Sequence, residues 1–281
     1  MSMKESWIRH AITLSAMPAD LYSGSRKILR NIRLEFNPDM DLTLSDAGYS
    51  RNKMHQLRRN YLHEESITAA SGLWDEYREK PRYRSVAISC FARLVKDHGG
   101  PRGSKMGSCL LAVTITMLNR REAEVNMHYR TTEFLKKFPA DLIFLYEDIL
   151  SRFNLEGMAI KRVVAHFDNI TFHPAYFVTI VPHLKDPIKS LETIRQTDQL
   201  CFDWILKWTA RYLIPEQGRG IQKFAQAVRV KMDAEKRITG KTRDRLIQYI
   251  DEHHPGFARS SYDDAVASVS QRKARRTPST S

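Results

Sequence analysis

Apolar residues alternate in part along Arg84–Ala92 (RSVAISCFA) and run almost unbroken along Ser108–Leu118 (SCLLAVTITML). Both segments are rich in β-branched residues, so each predicts a strand. Arg120-Arg121 opens a polar turn, and Ala123–Tyr129 reads as the returning arm of a hairpin. Val163–Phe172 and Phe177–Val181 predict two further strands, and His98–Ser104, with its glycines and proline, a loop. Apolar positions recur at helical spacing over Ser50–Tyr61, Ile67–Tyr77, a segment opening at Pro139 (DLIFLYEDILSRF), Ser190–Leu213, Gly220–Arg237 and Thr242–His253. Arg26, Arg30 and Arg33 stand three or four positions apart, which predicts a short helix within Pro18–Arg33 carrying an arginine face.

This order of elements predicts an α+β core over residues 1–185, a helical region over 186–260 and a flexible basic tail over 261–281. With 281 residues, 42% of them hydrophobic, the chain has enough apolar material for a substantial core. No run of eighteen apolar residues occurs, so no membrane span is expected, and MSMKESWIRH lacks the apolar stretch of a secretory signal. Three scattered cysteines (Cys90, Cys109 and Cys201) suit free thiols in a reducing cytoplasm rather than a disulfide framework or a zinc site. The net charge of +13 favours anionic partners such as nucleotides or nucleic acid. Part of it lies in Gln271-Arg272-Lys273-Ala274-Arg275-Arg276, a run suited to nucleic-acid contact but equally to a solvated end.

Between Gly107 and Leu145 a cysteine adjoins an apolar strand and the chain turns back. Tyr129-Arg130-Thr131-Thr132-Glu133 then leads into Phe138-Pro139-Ala140-Asp141-Leu142. This ordering resembles the thymidylate synthase and deoxycytidylate hydroxymethylase family, and Arg130 follows Cys109, as Asp141 follows Arg130, at the family's intervals. His166–His173 (HFDNITFH) occupies the place of the family's ribose-contacting segment, and Leu73-Trp74-Asp75-Glu76-Tyr77 is similar to its Trp-Asp-Glu-Trp. The likeness spans roughly residues 84–185. It implies a thymidylate synthase-like sheet with flanking helices, a homodimer, and transfer of a one-carbon unit to C5 of a pyrimidine deoxynucleotide monophosphate. Cys109 would be the nucleophile: addition of its thiolate at C6 makes C5 electron-rich enough to attack a one-carbon electrophile. By the same resemblance Arg130 and Thr131 hold the 5′-phosphate, with Arg82 or Arg84 reaching across a dimer interface. Asn169 and His173 belong to the substrate site, and Trp74 and Glu133 contact 5,10-methylenetetrahydrofolate. Asp141 stands where the family has Asn for uracil and Asp for cytosine, so the substrate expected is dCMP and the reaction methylation or hydroxymethylation. A carboxyl just after Pro139 also suits a helix start.

The chain departs from the family in several places. Leu110 follows the cysteine where the synthases have His, Lys137 precedes Phe138-Pro139 where they have Gly, and Glu133 replaces an Asp. The family's C-terminal folate-closing segment has no counterpart. Glu64, Glu65 and Glu76 are candidates for its general-acid glutamate. These departures keep open a second reading, a catalytically altered member that binds nucleotide or nucleic acid. A basic helical DNA-binding protein is a third, although no helix-turn-helix or zinc pattern stands out.

Overall fold

The computed structural model describes residues 1–24, 26–44, 46, 50–79, 84–90, 109–213 and 240–253. Arg82, the His98–Ser104 loop, the helix expected over Gly220–Arg237 and the basic tail lie outside the described residues. Two compact units form: Met1–Leu14 with Ala19–His173, and Ser15–Pro18 with the chain from Pro174 onward. The limit expected near residue 185 lies inside the second unit.

The first unit is built on a six-stranded sheet of β1 (Leu21–Ser23), β2 (Arg26–Phe36), β3 (Arg84–Ser89), β4 (Leu110–Met117), β5 (Glu122–Glu133) and β6 (Ala159–Phe172). Their order is β1-β2-β6-β5-β4-β3. Neighbours are antiparallel except β5 and β6, which are parallel. A parallel pair needs a crossover. It is made by helix α4 (Phe138–Phe144), a π-helical turn at Leu145–Ile149 and a 3₁₀ turn at Leu150–Arg152. Helices α1 (Met3–Ala16), α2 (Arg51–Tyr61) and α3 (Glu64–Glu79) complete the α+β arrangement. The sequence reading made no assignment for α1, although Met3, Trp7, Ala11 and Leu14 form one buried stripe along it.

The sheet's buried face carries an aromatic cluster. Phe138 at the start of α4 packs on Phe36, Tyr129, Phe134 and Phe167, with ring centroids 5.1 to 5.7 Å apart. Every residue of α4 is buried. The apolar gain of seating Phe138, Leu142, Ile143 and Phe144 therefore takes Asp141 into the interior with them.

Where an arginine-faced helix was expected, the chain runs as β1 and β2. Burial explains the error. On β2 the buried positions are odd at Leu29 but even at Leu34 and Phe36. The same change of phase occurs on β5, from Met127 and Tyr129 to Thr132, and on β6, from Ala165 and Phe167 to Ile170 and Phe172. At that level Asn31, Arg130 and Asp168 are exposed and fall between the paired positions, and Asn31 adopts φ 53°. Asparagine tolerates this left-handed conformation better than most residues. Three strands thus share one in-register kink, and the kink breaks the two-residue alternation that would have identified β2 as a strand.

The second unit opens with 3₁₀ turns at Pro174–Thr179 and Val181–His183, where a strand over Phe177–Val181 was expected. Pro174 and Pro182 withhold two backbone donors there. The single helix expected over Ser190–Leu213 is two, α5 (Pro187–Thr197) and α6 (Gln199–Leu213). Asp198 separates them: its carboxylate accepts from the Cys201 N–H at 3.0 Å, and its own N–H closes α5 on Ile194. Helix α7 (Gly240–His253) follows, its Tyr249 hydroxyl donating to Glu192 of α5. No helix among the described residues is long and apolar enough to cross a membrane.

Candidate functional site

Cys109 stands half-buried just before β4, and its carbonyl accepts from the Arg130 N–H at 3.0 Å. Asn169 on β6 donates from Nδ2 to the Arg130 carbonyl at 3.4 Å. Thr131 lies opposite Asn169 in the β5–β6 register. Strand pairing therefore gathers Cys109, Arg130, Thr131 and Asn169 at the kink.

One residue beyond Cys109, Leu110 pairs with Tyr129, whose ring is buried on the core side. Tyr129 leads to Asp141. The Asp141 carboxyl is fully buried, and neither of its oxygens has a hydrogen-bond partner. Burial raises its pKa to about 8; the Lys137 charge and the nearby Tyr129 phenol pull the other way without prevailing. The Tyr129 hydroxyl itself is directed at Met127 Sδ, 3.9 Å away. Tyr129 is held well above its ordinary pKa by burial and then by the Asp141 charge, and the Cys90 thiol is pushed up to about 12 for the same two reasons. Asp141, Tyr129 and Cys90 thus form one buried titratable cluster, neutral near pH 7.

Asp141 also lines a cavity of about 280 Å³. One face of α2, where Lys53, Gln56, Asn60 and Tyr61 recur at helical spacing, also lines it. Lys136 and Lys137, from the turn before α4, complete its rim. Helix α2 is set over this region by Arg58, whose guanidinium donates to Asp148 at 2.8 Å and Glu147 at 2.7 Å, both on the π-helical turn.

Other expected site residues are engaged elsewhere. Trp74 is fully buried, its indole N–H donating to the Asn154 carbonyl at 3.0 Å and its ring meeting Phe153 edge to face. Glu133 accepts from the Lys136 N–H at 2.7 Å and the His173 N–H at 3.3 Å; burial first, against these bonds, raises its pKa to about 7. Trp74 thus has no exposed surface, and each Glu133 oxygen accepts from a backbone donor. His173 is brought to Glu133 through its backbone, and burial, then the Arg26 and Lys136 charges, lower its imidazole pKa. Arg84 lies over the Tyr77 ring at 4.8 Å. Cys201 is buried in the second unit.

Sequence reading missed Tyr129, Cys90 and the α2 wall as companions of Asp141. The Lys136-Lys137 pair just ahead of Asp141 was the one local signal; nothing in the sequence links α2 to α4 across so long an interval. Neither a protein-family model nor a curated protein matches this chain, so its assignment stands on its own residues.

Proposed function

We propose that this chain acts at C5 of a pyrimidine nucleotide, deoxycytidylate in the first instance, by reversible addition of Cys109 at C6. Asp141 reads the base. The carrying observation is that carboxyl, buried without a hydrogen-bond partner on the wall of a cavity and protonated below about pH 8. An unsatisfied buried polar group costs about 1–3 kcal/mol, which a complementary ligand edge recovers. A neutral carboxyl has one donor and one acceptor, the complement of the cytosine N3 acceptor and N4–H donor. With its proton on the other oxygen it complements the uracil O4 acceptor and N3–H donor, so the choice of base rests on which oxygen holds the proton.

Cys109 stands one residue before the position paired with Tyr129, where β4 begins. Its thiolate adds to C6, the C5 carbanion takes a proton, and loss of a C5 proton with expulsion of the thiolate regenerates the pyrimidine. This half-reaction balances without a carbon donor and exchanges the C5 hydrogen with water. No step is assigned to folate, because Trp74 and Glu133 are otherwise engaged. That engagement favours one alternative, a family-like protein that binds nucleotide without transferring carbon.

The test is tritium release from C5-tritiated dCMP and dUMP by wild type, Cys109→Ser and Asp141→Asn. Wild type is expected to release tritium and Cys109→Ser to bind but not release. Asp141→Asn should change the dCMP-to-dUMP ratio, because an amide cannot move its donor between two positions without turning over. Binding without release by wild type supports the alternative. An unchanged ratio in Asp141→Asn removes the base-reading role.

A further inference from the structure

The Asp141 cavity has a marked charge asymmetry. Its wall and rim carry the ammonium groups of Lys53, Lys136 and Lys137, and its only described carboxyl, Asp141, is neutral below about pH 8. Lys53 is exposed one turn into α2, on the same face as Gln56, Asn60 and Tyr61; Lys137 is exposed on the turn before α4. Lys53 thus comes to this space from α2, while Lys136 and Lys137 come from the segment that leads into Asp141. Arg130, by contrast, is not among the described lining residues.

We infer that Lys53, Lys136 and Lys137 form the anionic subsite of this cavity and hold the 5′-phosphate of a nucleotide whose base meets Asp141, in place of Arg130. The inference rests on the nucleotide reading above and assigns the phosphate within it. A phosphate monoester carries about −1.5 to −2 charge at pH 7, and separate ammonium groups bind it as point charges. Amide side chains between them, Gln56 and Asn60, supply neutral donors and acceptors for the sugar. The same three charges draw anions toward an opening whose one acidic side chain among the described lining residues is Asp141.

The experiment measures binding of dCMP, deoxycytidine and inorganic phosphate to the full chain by calorimetry at one ionic strength. It compares wild type, Lys53→Gln, Lys137→Gln and Arg130→Gln. Wild type is expected to prefer dCMP over deoxycytidine by about tenfold or more, each lysine variant to lose most of that margin, and Arg130→Gln to keep it. A margin that survives in both lysine variants, or collapses in Arg130→Gln alone, overturns the assignment. If neither dCMP nor deoxycytidine binds but inorganic phosphate does, and more weakly in the lysine variants, the base reading fails while the anionic subsite stands. Absence of binding by all three ligands overturns both.

Discussion

At the scale of single residues, Asp141 governs the expected behaviour of the site. Its folded pKa of about 8 lies above its ordinary 3.8, so the folded state holds a proton that the unfolded state releases over that interval. Its stabilising contribution is full below about pH 4, falls as pH rises, and is exhausted above about 8. Asp141→Asn removes this dependence and at pH 9 should be more stable than wild type by on the order of a few kcal/mol. Urea unfolding of both proteins at pH 5, 7 and 9 reads the difference, and the comparison is needed because Glu133, raised to about 7, adds a slope of its own. A difference that does not change with pH would mean that Asp141 is ionised throughout. The family resemblance singles out Asp141 and Cys109 by position. Burial of Asp141 was not legible, because Pro139-Ala140-Asp141 reads equally well as an exposed helix start. Only the aromatic seat of Phe138 decides that α4 is enclosed.

At the scale of elements, the cavity depends on how α2 is held. Arg58 forks onto Glu147 and Asp148, acids presented by the wider turn at Leu145–Ile149. The guanidinium is about a third exposed, so screening limits its worth. Arg58→Ala is expected to cost about 1 kcal/mol in urea unfolding, and Arg58→Lys to recover only part, since an ammonium cannot make the planar fork. Equal stability of all three proteins would show that packing alone fixes α2. The strands over residues 84–89, 110–117 and 159–172 and helices α2 and α3 were legible because their patterns are regular. The errors fell where a local device overrides the pattern: prolines at 174 and 182, the Asp198 cap between α5 and α6, and the shared kink that disguises β2.

At the scale of the whole molecule, mixed strands with flanking helices could be read from the chain, whereas the order β1-β2-β6-β5-β4-β3 could not, because pairing of β2 with β6 joins segments far apart in sequence. That distance has a consequence for how the strand lengths can change. The kink at Asn31, Arg130 and Asp168 is a crease folded through three separately encoded strands, and the pairing on both sides stays in step only because each strand contributes one residue to it. Losing Asn31 alone would turn Leu29 and its neighbours to the wrong face of the sheet, so the deletion should unfold the chain at far lower urea than any point substitution there. Removing Asn31, Arg130 and Asp168 together should restore part of the loss, and failure of the triple deletion to do so would show that the crease is set by something other than matched length. Insertions and deletions at this level are thus tolerable only in concert, as one coupled change written in three places along the chain.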